Sequence, residues 1–256
     1  MSDTTKLAQQ IYQEGLVLVK FKHYTDALSC FEQVVDINPP CAQVWFQIGY
    51  CRSELVKLEI KNSEEYLYVD TEAEHYQEVI KAYQKAIELQ PDYADARNSL
   101  AELFSHFGER QSEDVSWPSD YMRAIEWYKQ AAEVSLDGAT AYHHQIGWVY
   151  TCLMENFDDD VIRDQVCFEG TVGIAEARIE TYQQLADMQP DDAKAYYELG
   201  EAYKSWIYAF ITECQEYVAT GDEIEAMKEG KHPEIQDVLK KAIKVFRTAV
   251  QIIVTF

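Results

Sequence analysis

The chain has 256 residues, enough to bury a sizeable core, and its 47% apolar content lies in the globular range. Lys and Arg number 22 against 45 Asp and Glu, a formal charge of −23 that repels phosphate backbones and anionic lipid surfaces and so argues against nucleic-acid and membrane partners. No apolar run approaches 18 residues, and the opening MSDTTKLAQQ has no hydrophobic core of a signal, so the expected location is the cytoplasm. Six scattered cysteines, without close pairs and mostly at apolar helix positions, fit buried free thiols in a reducing compartment.

In chain order the sequence reads as five helix pairs. Ile11 precedes Gly15 by four in the first helix, and Ala27, Phe31, Val34 and Pro39 mark the second. Trp45 stands before Gly49 in the same way; ELVKLEI prolongs that helix, and EEYLYVDTEAEHYQEV leads into the next. Between them Asn62 and Ser63 with Glu64 and Glu65 form a helix-start signal that marks the hairpin tip. IKAYQKAIELQPD then supplies Tyr83, Ala86 and Pro91. The third pair has Arg97 before Ala101, then Ala124, Tyr128 and Ala131, and the intervening FGERQSEDVSWPSD (107–120) reads as a loop.

In the fourth pair His143 precedes Gly147, and RIETYQQLADMQPDD carries Tyr182, Leu185 and Pro190. Between them ENFDDDVIRDQV holds the tightest acid cluster, Asp158, Asp159, Asp160 and Asp164. It lacks the alternating ligands and Gly of a calcium loop and reads as a helix N-cap. The fifth pair has Tyr196 before Gly200, then Ala242, Phe246 and Ala249. Spacings of three and four fit helices and not strands, and small residues at these places let two helices approach while the ring fills the space beside them.

Helix pairs recurring in this manner indicate an all-α solenoid. The chain resembles the tetratricopeptide repeat family, whose unit runs Trp, Leu-Gly, Tyr, Ala, Phe, Ala, Pro, and the resemblance implies a right-handed solenoid. The five units fall at about 8–41, 42–93, 94–138, 139–192 and 193–256 and form a single domain. YMRAIEWYKQAA (121–132) is also similar to the related Sel1-type repeat. Four of the five turns inside a unit are enlarged: Gly49 and Val79 lie 30 residues apart, Ala101 and Ala124 lie 23, Gly147 and Arg178 lie 31, and Gly200 and Ala242 lie 42. An insertion split between two helices lengthens the second hairpin by roughly 13 Å. Insertions in such arrays gather on one face, either as a functional surface or as neutral elaboration.

The resemblance implies that the first helix of each pair lines a concave groove that takes a protein or peptide. The groove places here are Tyr12 and Leu16, Phe46 and Tyr50, Asn98 and Glu102, His144 and Trp148, Tyr197 and Glu201. Five are Tyr, Phe or Trp and two are acidic, a lining suited to a peptide or helix, basic or amphipathic, unless the long hairpins cover the rings themselves. The acidic surface either draws a basic partner or serves solubility. The carboxylate clamp of some members lacks its cations, since only Asn98 and Lys194 or Lys204 could serve.

In the closing AVQIIVTF the residues Val250, Ile252, Ile253, Val254 and Phe256 are apolar, with no polar helix after them. These residues either fold onto the preceding pair or are covered by a homodimer mate or an obligate partner. The expected function is thus a non-enzymatic adaptor, the alternative a structural subunit of a larger assembly. No Cys-x-x-Cys, Gly-rich phosphate loop or Gly-x-Ser-x-Gly elbow is present, and adjacent His143 and His144 point about 100° apart, so no catalytic residue, cofactor or metal is assigned.

Overall fold

A computed structural model describes residues 3–37, 41–62, 74–110, 117–135, 137–155, 170–217 and 232–255. The hairpin tip at Ser63, Glu64 and Glu65, the acids at 158–160 and 164, Cys167 and Phe256 lie outside these residues. Ten helices occupy the described chain, with no strand among the described residues. They are α1 (Asp3–Lys20), α2 (Tyr24–Ile37), α3 (Ala42–Asn62), α4 (Glu74–Leu89) and α5 (Ala94–Arg110), followed by α6 (Trp117–Val134), α7 (Ala139–Glu155), α8 (Gly170–Met188), α9 (Ala193–Tyr217) and α10 (Pro233–Thr255). Successive helices pack as the pairs α1–α2, α3–α4, α5–α6, α7–α8 and α9–α10, and the second helix of each pair also packs against the first of the next. Among the described residues the chain is therefore an all-α solenoid of five helix pairs.

One steric device recurs in the pairs. A methyl group at Gly15 would lie 2.7 Å from the Phe31 ring, at Gly49 2.8 Å from Tyr83, and at Gly200 2.5 Å from Phe246; at Gly147 it would run into Tyr182. Each glycine of a first helix thus seats the large ring of its partner helix, and the missing side chain sets how closely the two axes approach. In the third pair Ala101 fills this place and is fully buried. There the contact recurs seven residues further out, where Gly108 receives Tyr121 at 2.7 Å.

That second seat corrects the expected loop at 107–120. α5 runs on through Arg110, α6 begins at Trp117, and only 111–116 lie outside the described residues. Gly108 is small because a ring covers it, and Pro118 stands in the first turn of α6, where a missing N–H costs little. The ELVKLEI extension is helical, as expected, and makes α3 21 residues long.

Two of the short turns between pairs are built alike. In QPDY, Gln90 N–H donates to Ala86 O at 2.9 Å and Tyr93 N–H to Gln90 O at 3.1 Å; in QPDD, Gln189 N–H donates to Leu185 O at 2.9 Å and Asp192 N–H to Gln189 O at 3.0 Å. The Asp192 carboxylate then accepts from Lys194 N–H at 2.9 Å, capping α9. The α1–α2 turn closes differently: Lys22 N–H donates to Val19 O at 2.9 Å and His23 N–H to Leu18 O at 3.0 Å, with Lys22 at φ 61°. This is the helix-ending turn that favours glycine at the left-handed place. Lys22→Gly is expected to raise stability by about 0.5–1 kcal/mol, the relieved strain less the added freedom of the unfolded chain. Urea unfolding of the two proteins checks this.

The core falls into three clusters in succession along the array. One cluster joins α1, α2 and α3 around Phe31, Val34 and Ile48. A second runs from Val56 through Tyr83, Phe107, Tyr128 and Tyr150 to Ile174. A third joins α8 and α9 through Tyr182, Leu185 and Leu199. Of the described cysteines Cys51 is buried, Cys30 and Cys152 are half-buried and Cys41 is exposed, so burial of the thiols is less general than their spacing indicates.

Candidate concave binding site

The ten groove places divide along the array. In the first two pairs the rings are taken up by neighbours and are half-buried. Tyr12 meets Phe31 at 5.6 Å between centroids, Phe46 meets Tyr83 at 5.8 Å and Tyr93 at 5.2 Å, and Tyr50 meets Tyr24 at 6.2 Å. Leu16 is half-buried against the first cluster. In the third pair Asn98 Nδ2 donates to Glu102 Oε1 at 2.8 Å, so both polar groups engage each other.

The last two pairs leave their rings open. Trp148 is 40% exposed and Tyr197 52%, although Tyr197 also touches Phe246 at 5.8 Å. Glu201 is held by Lys204 at 2.8 Å. Tyr208, which was not among the places read from sequence, is 77% exposed. It lies eleven residues after Tyr197 and therefore on the same face of α9. Its signal was the spacing 197, 201, 208, legible only once α9 is known to run unbroken to Tyr217.

Between α7 and α9, floored by α8, is a cleft of about 420 Å³ lined by His144, Gln145, Trp148 and Thr151, by Arg178 and Tyr182, and by Lys194 and Glu198. Arg178 stands in the register place that holds Ala27, Val79, Ala124 and Ala242 in the other pairs. It is only 6% exposed. Nη1 donates to Ser205 Oγ at 2.9 Å, Nη2 lies 3.8 Å from Glu198, and the guanidinium sits 5.6 Å from the Tyr182 ring centroid. A buried cation in a small-residue slot thus ties α8 to α9 beneath the cleft.

Both imidazoles of α7 are held below the ordinary histidine value of 6.5. Burial does this first for His143, helped by His144 and Lys129. Burial also leads for His144, then Lys194, while Asp192 and Glu198 pull the other way. Asp192 lies 3.8 Å from His144 Nε2. Because the unfolded chain takes up these protons more readily, their contribution to stability falls as pH drops below about 6.5 and stops falling only beneath the folded values. Replacing His143→Asn and His144→Gln together is expected to flatten the stability–pH curve between about pH 7 and pH 5. Urea midpoints across that range measure it, and an unchanged slope would count against the assignment.

Among the described residues no group of three or more His, Cys, Asp or Glu is placed to hold a metal, and no helix is long and apolar enough to cross a membrane.

A family model for the tetratricopeptide repeat matches residues 82–114, from the second half of α4 across the QPDY turn and through α5. Residues 82–114 thus match a tetratricopeptide repeat, and the five helix pairs of the described residues follow the helix-pair architecture of such repeats. Among solved structures it is similar to TTC0263, a thermophilic repeat protein of this class from Thermus thermophilus, at 15% identity and a TM-score of 0.44, covering 93% of this chain and 98% of that one. It is also similar to MamA, at 13% identity and a TM-score of 0.46 over 93% of each chain. YrrB, described as having an unusual peptide-binding site, shares 15% identity at a TM-score of 0.43, covering 98% of this chain and 97% of its own. No curated protein matches the chain in sequence.

Proposed function

We propose that this chain is a non-enzymatic adaptor that holds a peptide or helix of a partner protein on the concave face of its fourth and fifth pairs. The observation that carries this reading is the cleft between α7 and α9 with Trp148 open on its wall and Tyr197 open nearby. Large rings fixed on rigid helices bury much area on binding and lose little side-chain freedom, which is why such residues anchor interfaces. The earlier groove rings, Tyr12, Phe46 and Tyr50, already pack against their neighbours and act chiefly as the wall that holds the groove's shape.

Glu198, Glu201 and Asp192 flank the anchors, and the chain carries −23 overall. Both features favour a basic or amphipathic segment, with an association rate that falls as salt rises. A second reading, a structural subunit, has its own observation in the apolar outer face of α10, described below.

The test is affinity capture from the source cell with the wild-type chain and with Trp148→Ala/Tyr197→Ala. The captured partner is expected to bind the double variant at least about thirtyfold more weakly, the effect of losing a ring that contributes 2 kcal/mol or more. Undiminished affinity in a variant of native helicity would place the site elsewhere.

A further inference from the structure

The last helix presents an apolar stripe whose register identifies what should cover it. Ile243 is 48% exposed, Val250 60%, Ile253 67% and Val254 78%, and a shallow hollow of about 490 Å³ runs along Ile243, Phe246, Arg247, Val250 and Val254. Phe246 stands in the place of Phe31, Tyr83, Tyr128 and Tyr182 in the earlier pairs. Counted from that ring, Ile243 corresponds to Leu28, Ile80, Ile125 and Ile179, and Val250 to Val35, Ile87, Ala132 and Ala186. Apart from Ala132, which is half-buried, those earlier apolar residues are buried in, or packed against, the core clusters. On α10 the same places are open. The missing cover is therefore a helix, lying as a further first helix would lie.

Charge identifies the kind of helix. α10 carries Lys240, Lys241, Lys244 and Arg247 against Glu234 and Asp237, so it is cationic in a chain where acids outnumber bases 45 to 22. Lys241 is held by Asp237 at 2.8 Å, on the side away from the stripe. Lys240, Lys244 and Arg247 are exposed and fall along one edge of the stripe.

A second copy of the chain fits poorly. Two α10 helices packed antiparallel about a two-fold axis would bring their cationic edges to the same side, like charge against like. α1 of another copy is no better, since Asp3 and Glu14 balance Lys6 and Lys20 and provide no acidic row. Any self-association also brings together two chains of −23.

We propose that the outer face of α10 is a second docking surface, which takes an amphipathic helix of another protein whose apolar ridge is bordered by Asp and Glu. The ridge would sit over Ile243, Val250 and Val254, and the acids would meet Lys240, Lys244 and Arg247. The surface is independent of the concave site. An adaptor with both would bridge two partners of opposite charge.

The test uses a labelled peptide of about 20 residues, helical and about 30 Å long, with Leu on one ridge and Glu beside it, at about 0.15 M salt, where distant charges are screened. Wild-type protein is expected to bind it at least about tenfold more tightly than does the variant Lys240→Glu/Lys244→Glu/Arg247→Glu, and Val250→Asp is expected to weaken it comparably. Trp148→Ala/Tyr197→Ala should leave this binding unchanged, which separates failure of this surface from failure of the concave site. Absence of binding, or binding that survives the charge reversal, overturns the proposal. So does adsorption of the protein to anionic vesicles without peptide binding, or a concentration-dependent dimer that Val250→Asp abolishes.

Discussion

Tyr83→Ala is expected to lose about 3–5 kcal/mol of stability in urea unfolding, the cost of deleting a large buried ring. Tyr83 is 2% exposed, covers Gly49, and touches Phe46 on the groove side. It therefore joins the packing within the α3–α4 pair to the wall of the groove. Burial pushes its hydroxyl well above the ordinary tyrosine range, so it stays neutral, with Ser99 and Ser53 as hydrogen-bonding neighbours. Tyr83→Phe keeps the ring and loses only these contacts, so it should cost about 1 kcal/mol. The gap between the two variants separates ring packing from hydrogen bonding. Near-equal losses would contradict the account.

The second large effect is at Gly147. Here a side chain meets the Tyr182 ring at once, and Tyr182 is 4% exposed with no room to retreat. Gly147→Leu should destabilise by about 3 kcal/mol, as overpacking outweighs the gain of roughly 1 kcal/mol from replacing glycine inside a helix. Truncating the ring should relieve the clash. In a double-mutant cycle, Gly147→Leu with Tyr182→Leu is expected to be less destabilised than the sum of the singles by about 1–3 kcal/mol. Additive losses would mean that the glycine–ring seat does not set the spacing of α7 and α8.

These seats are also what made the fold legible. Gly15, Gly49, Gly147 and Gly200 each precede a matching ring, and that pairing of a small and a large residue holds however long the connection between them. The enlarged connections did not obscure it. The α5–α6 hairpin was harder, because Gly108 and Pro118 carry the marks of a loop. In the structure Gly108 is a second ring seat and Pro118 a first-turn residue, roles that depend on Tyr121 across the hairpin and on where α6 begins.

The site was legible as a set of places but not as a division of labour. Phe46 and Trp148 are both large rings at groove places and look alike in sequence. Phe46 is taken up by Tyr83 and by Tyr93, which a turn delivers from the next pair, whereas Trp148 faces the open cleft. Arg178 was visible as a departure from the small residue of that place. Its role follows only from Ser205 and Glu198 on the neighbouring helix, 27 and 20 residues further along the chain.

The concave face of α7 and α9 can be tested most directly by site-specific photocrosslinking in the source cell. A benzoyl-phenylalanine at Trp148 or Tyr197 is compared with one at Leu89 or Val134, which are exposed at the ends of α4 and α6. The account predicts that Trp148 and Tyr197 both capture the same partner polypeptide and that Leu89 and Val134 do not. Capture of that partner from Leu89 and Val134, with none from Trp148 or Tyr197, would contradict it.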